Sequence, residues 1–145
     1  MGNLNDDIQS KFKNEKVKAM LNIIYSANWI NSKLNTFFKS FDLSHQQFNI
    51  LRILNGADEP LKVQTIKERM VERAPNATRL MDKLCAKELI NRIQCPDDRR
   101  VVHIIITKKG KELLHDINKS MTFDVLENLT IDEAKVMNEL LDKMR

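Results

Sequence analysis

Between Leu89 and Thr107 the chain changes its period, and that change limits the folds open to it. Leu89 to Gln94 and Val101 to Thr107 (VVHIIIT) are short and β-branched, so they read as strands. Between them lies Cys95-Pro96-Asp97-Asp98-Arg99-Arg100, rich in turn formers and charge. The pattern predicts a β-hairpin with a charged tip. Just upstream the period is helical. Val63 to Val71 turns Ile66 and Met70 inward, and Pro75 to Lys87 puts Ala77, Leu80, Met81 and Leu84 on one face. Pro75 suits a first helical position. Two short helices joined by a tight turn predict a helix-turn-helix.

The flanks are helical as well. From Asn5 to Ser40 apolar residues at Val17, Met20, Leu21, Ile24, Ala27, Ile30, Leu34, Phe37 and Phe38, continued by Phe41, trace one face of a long helix without Gly or Pro. So long a stripe exceeds what one short domain can cover, and a helix from a second subunit is a natural partner. Ser44 with Gln47 forms a capping box, with Leu43 and Phe48 at the staple positions. Gly56 is the expected left-handed stop of that helix. Thr107 caps a helix with Leu113, Leu114, Ile117 and Met121 inward. A second capping box, Thr130 with Glu133, opens a last helix expected to bury Ala134, Met137, Leu140, Leu141 and Met144. The expected fold is mainly α with a small β-hairpin wing: a winged helix-turn-helix over residues 43–110, between an N-terminal helix (5–41) and C-terminal helices (111–145).

Composition narrows the function classes. A chain of 145 residues, 42% hydrophobic and 30% charged, has the balance of one globular domain. No apolar run approaches the roughly 18–20 residues needed to cross a bilayer, and the opening MGNLNDDIQSKF lacks the apolar stretch of a secretion signal. Cys85 and Cys95, without CxxC spacing, suit a reduced, cytoplasmic setting. Residues 62–111 carry a net charge of +7, whereas the remainder carries −3. A basic middle on acidic arms suits a polyanion partner.

The second helix of the helix-turn-helix is where a protein reads base edges in the major groove. Arg73, Asn76, Thr78, Arg79 and Lys83 occupy that segment. Asn pairs with adenine and Arg with guanine in bidentate fashion, whereas Thr78 and Lys83 suit phosphates. Arg99 and Arg100 on the hairpin tip suit a narrow minor groove. Asp98 is placed to fix the Arg100 guanidinium in an ion pair. The partner so implied is double-stranded DNA.

These residues resemble the multiple antibiotic resistance regulator (MarR) family. In CPDDRRVVHIIITKKG the wing signature is carried by Asp98, Arg100, Thr107 and Gly110, with Ile106 where the family usually has Leu. PNATRLMDKLCAKELINR resembles the recognition helix through Thr78-Arg79-Leu80, Asp82 and Leu84, leading into the wing by Leu89-Ile90, and LSHQQFNILRIL resembles the helix before the motif. Lys87-Glu88 departs from a common Lys-Gly or Arg-Gly pair. The resemblance implies a homodimeric transcription factor, more often a repressor, on a pseudo-palindromic operator. It also implies release by a small aromatic or phenolic effector, for which Trp29, Phe37, Phe38, Phe41 and Phe48 are the candidate lining.

Other classes find less support. His45, His103 and His115 are scattered, with no metal-ligand spacing and no phosphate loop. Neither catalysis, a metal nor a cofactor is expected. A winged-helix adaptor that binds protein is the alternative, but it calls for apolar anchors where this chain offers Asn, Thr, Arg and Lys. A thiol-based redox regulator is a further alternative. Cys85 falls beside the apolar Leu84, whereas Cys95 lies near Arg99 and Arg100, cations of the kind that activate thiols.

Overall fold

The computed structural model describes residues 2–9, 11–71, 75–122 and 124–145. Among them, seven helices and three strands follow in the order α1 (Leu4–Asp7), α2 (Glu15–Lys39), α3 (His45–Ala57), β1 (Leu61–Lys62), α4 (Val63–Arg69), α5 (Ala77–Ala86), β2 (Ile90–Gln94), β3 (Val102–Ile106), α6 (Lys108–Ser120) and α7 (Ile131–Met144). The mainly helical class and the wing hairpin are as the sequence predicts.

The long first helix is interrupted. A single turn, α1, ends before Gln9, which has a left-handed backbone (φ 49°). α2 starts afresh where the Asn14 side chain accepts a hydrogen bond from the Val17 N–H at 3.0 Å. Residues 9–14 hold only Phe12 as an apolar side chain, so no stripe favours helix there, and Asn14 is a strong capping residue.

α3 begins with the predicted capping box: the Gln47 N–H donates to Ser44 Oγ at 3.1 Å and the Ser44 N–H to Gln47 Oε1 at 3.0 Å. Its end differs from expectation. Gly56 is helical, and the left-handed residue is Asp58 (φ 51°), a type that tolerates this conformation. β1 was not foreseen. Its two residues fall just before a helix and show no alternation, yet Leu61 pairs with Ile104 and Lys62 with His103. The sheet order is β1-β3-β2, antiparallel throughout, with Ile90 opposite Ile106 and Gln94 opposite Val102.

The core sits where α3, α5, α6 and the sheet converge. Ile50, Leu51, Leu54, Ile66, Met81, Leu84, Ile90, Ile104 and Ile117 are buried there. α2 enters through its last turns: Phe38 is fully buried, its ring stacked on Phe48 at 4.4 Å and on His45 at 5.7 Å. All four predicted inward residues of α5 are buried, as are Ile66 of α4 and Met70 at its C-cap. The α7 stripe is not. No residue of α7 is buried, and Leu140 is 62% exposed, because no element among the described residues covers that face. On α2, Met20 and Ile24 are just over half exposed, and Tyr25 and Trp29 somewhat less.

Candidate nucleic-acid interface

α5 presents the residues expected to meet DNA because its inward face is apolar enough to fix its roll. With Ala77, Leu80, Met81 and Leu84 inside, Asn76, Thr78, Arg79 and Lys83 face solvent. Asn76 occupies the N-cap position, but its side chain makes no capping bond, which leaves the carboxamide free. Pro75 lies two residues before the first helical residue rather than within the helix. Arg73 falls outside the described residues. Lys83 stands two turns further along, in a cleft with Lys39, Asp42, Leu43, Ser44, Gln47 and Lys87. It stands one turn beyond Arg79, at i,i+4 on the same exposed face of α5.

The end of α5 sets the direction of the wing. The Glu88 N–H donates to the Cys85 carbonyl at 2.9 Å and the Leu89 N–H to the Leu84 carbonyl at 3.0 Å. These are the paired bonds of a Schellman stop, whose left-handed residue is here Glu88 (φ 60°) where the family often has Gly. Arg92 on β2 is ion-paired to Asp82 on α5, tying the hairpin to the recognition helix. Sequence reading missed Arg92, because the ten-residue separation carries no helical or strand spacing.

At the wing tip Arg99 and Arg100 are exposed, and neither they nor Arg79 form an ion pair with any described residue. The expected Asp98–Arg100 ion pair is replaced by a turn bond: Asp98 Oδ1 accepts from the Arg100 backbone N–H at 2.9 Å. A side chain two residues back reaches the backbone more easily than the far guanidinium. The turn is closed by the Cys95 N–H to the Val101 carbonyl and the Val101 N–H to the Asp98 carbonyl, both 3.0 Å. Three unpaired guanidiniums on a recognition helix and a hairpin are therefore open to phosphate and base edges.

The two cysteines are half-buried and free. Burial pushes the Cys85 thiol above its ordinary pKa. Arg92 opposes that shift and Asp82 adds to it. The charged thiolate form of Cys85 is thereby disfavoured. No cluster of three potential metal ligands exists among the described residues, nor is any described helix long and apolar enough to cross a membrane.

A cavity of about 560 Å³ lies between α2 and the α6–α7 turn, lined by Trp29, Ser32, Lys33, Thr36, Phe37, Asp124, Val125, Glu127 and Asn128. Two of the expected aromatic residues, Trp29 and Phe37, line it. Phe38 and Phe48 do not, since both are in the core, and Phe41 packs on that core from outside. The staple position of Phe48 at the start of α3 turns its ring onto Phe38 instead.

Comparison with known proteins agrees with this geometry. The MarR family model matches residues 43–102, from the start of α3 into β3. The transcriptional regulator MhqR of Bacillus subtilis is 31% identical over 119 residues, which cover 79% of this chain and 81% of MhqR. Among solved structures, a MarR variant from E. coli complexed with operator DNA superposes with a TM-score of 0.78 at 24% identity, covering 93% of this chain and 99% of that one. The organohalide-sensing regulator RdhR, in its 2,4-dichlorophenol-bound form, gives a TM-score of 0.80 at 18% identity over 100% of this chain and 88% of that one. These relatives are transcriptional regulators, not enzymes. The winged helix, the free recognition face and the shared sequence lead to one conclusion: this chain is a DNA-binding transcriptional regulator of the MarR family.

Proposed function

We propose that the protein acts as a homodimeric repressor on a pseudo-palindromic operator. Asn76 and Arg79 read bases in the major groove, Thr78 and Lys83 hold phosphates, and Arg99 and Arg100 enter the minor groove. Asp98 sets the turn that presents Arg100, and Arg73 belongs to the same DNA-contacting segment of the sequence. The observation that carries the dimer is the pair of bare apolar faces: Met20 and Ile24 on α2, and Val136, Leu140 and Met144 on α7, are each more than half exposed. Faces of this kind are interaction surfaces, and a two-fold dimer would set two recognition helices about one DNA turn apart. The reading keeps the protein in the cytoplasm, where operator DNA is.

The same reading includes a small aromatic effector in the cavity beside Trp29 and Phe37. It is supported by the ligand-bound state of the RdhR neighbour and by the cavity's site among helices that the dimer would use. Such a ligand acts only through a difference in affinity between DNA-competent and DNA-incompetent spacings. Fluorescence anisotropy with duplex from upstream of the protein's own gene, against random duplex at two salt concentrations, tests the DNA reading. Tighter, salt-sensitive binding to the upstream duplex is expected. Equal affinity for both would overturn sequence-specific regulation.

A further inference from the structure

We infer that the α2 cavity selects a small aromatic cation over a phenolate or carboxylate. This rests on the effector reading above and adds the charge of the ligand. The cavity is open to solvent, and Trp29, Phe37 and Val125 supply its apolar lining. That lining already holds a cation: Lys33 Nζ stands 5.9 Å from the centre of the Trp29 ring, and Lys33 has no carboxylate partner among the described residues. An ammonium over an indole face is held by the ring quadrupole, so Lys33 occupies the position that a ligand cation would take.

The opposite wall carries the complementary charge. Asp124 and Glu127 both line the cavity and neither is ion-paired within the described residues. Asp124 Oδ1 accepts the Leu126 N–H at 2.8 Å, which fixes the turn and leaves its negative charge unneutralised. With one ammonium against two carboxylates the lining is net negative. An aromatic anion gains Lys33 but meets both acids. An aromatic cation displaces Lys33 from the ring and gains the acids. Ser32, Thr36 and Asn128 supply neutral polar contacts around either.

Trp29 is the chain's single tryptophan, so its emission reports on occupancy directly. The full-length protein is titrated with benzyltrimethylammonium, benzyl alcohol and benzoate, and calorimetry repeats each titration without the fluorophore. The cation is expected to bind about tenfold more tightly than the neutral alcohol, and benzoate more weakly still. Lys33→Gln removes the resident ammonium and is expected to tighten the cation several-fold. Asp124→Asn with Glu127→Gln is expected to erase the preference while leaving benzyl alcohol unchanged. Benzoate binding as tightly as the cation, with that affinity lost in Lys33→Gln, would overturn the inference. So would no binding of the cation by either method, the result expected if a second copy of the chain fills the cavity. Anisotropy on the upstream duplex separates the two readings: a cation that binds without changing DNA affinity leaves the site standing and removes its effector role.

Discussion

Gly110 packs directly under the carbonyl of Leu89. A Cβ built on Gly110 would overlap that oxygen and lie 2.8 Å from Ile106 Cγ1. The approach is held from both sides: the Thr107 N–H donates to the same Leu89 carbonyl at 3.0 Å, and Thr107 Oγ1 donates to the Glu88 carbonyl at 2.7 Å while accepting the Gly110 N–H at 3.0 Å. The Thr-x-x-Gly spacing therefore locks the start of α6 onto the turn between recognition helix and wing. Gly110→Ala is expected to destabilise the fold by about 1–3 kcal/mol, as overpacking against fixed backbone does. Gly56→Ala is the control, because nothing lies within 4 Å of its Cβ position and its φ is not positive. That change should be neutral or stabilise by up to about 1 kcal/mol. Urea melts of the two variants should move in opposite directions or differ by the full Gly110 penalty.

Glu88 holds a left-handed conformation that favours glycine. Glu88→Gly removes a backbone strain of about 1–2 kcal/mol. It also removes the ion pair with Lys109 at 3.5 Å, whose side chains are mostly exposed and whose worth is at most about 1 kcal/mol. The strain is the larger effect, so the variant is expected to be more stable, with a higher urea midpoint. A lower midpoint would show that the ion pair outweighs the strain.

Arg100→Ala should weaken operator and random DNA alike, since a minor-groove arginine anchors without reading individual bases. Asn76→Ala and Arg79→Ala should instead narrow the gap between operator and random DNA, by about 1–3 kcal/mol for each lost bidentate contact. Anisotropy on both duplexes distinguishes the two patterns. Equal losses on both duplexes for all three variants would contradict the assigned roles.

Leu140→Glu, with Val136→Glu as a second case, should break the proposed dimer without unfolding the lobe, because both side chains are more than half exposed in the single chain. Light scattering after gel filtration should show the mass falling to that of one chain, with far-ultraviolet circular dichroism preserved. An unchanged mass would remove α7 from the interface.

Two groups give opposite pH signs. Hydrogen bonds from the Thr130 N–H and hydroxyl hold the Glu133 carboxyl below its ordinary pKa. That contribution is present above the ordinary glutamate value and lost as pH falls through the lowered one. Cys85 has a raised pKa, so its contribution is present below the ordinary thiol value and lost as pH rises through the raised one. Acidification should therefore loosen the α7 cap, an effect that Glu133→Gln removes. Alkylation of Cys85 should be slower than that of a free thiol at neutral pH.

Local rules were enough wherever one segment settles its own structure. The capping boxes of α3 and α7, the inward residues of α4 and α5, and the two wing strands follow from spacing and side-chain type alone. The basic middle and the exposed Asn76, Thr78 and Arg79 follow in the same way, since an apolar face on one side of a helix fixes what the other side shows. Relationships between segments were not legible. The pairing of β1 with β3, the Asp82–Arg92 tie and the overlap at Gly110 join residues with no shared period. The stop at Asp58 rather than Gly56, and the turn bond that replaced the Asp98–Arg100 ion pair, depended on how the backbone ran between neighbours. The aromatic cavity is the clearest division. Trp29 and Phe37 share a helical face in the sequence, but only packing showed Phe48 committed to the core and set Asp124 and Glu127 opposite Lys33. Periodicity gives each element its buried side, and the close fit of those sides decides which residues meet.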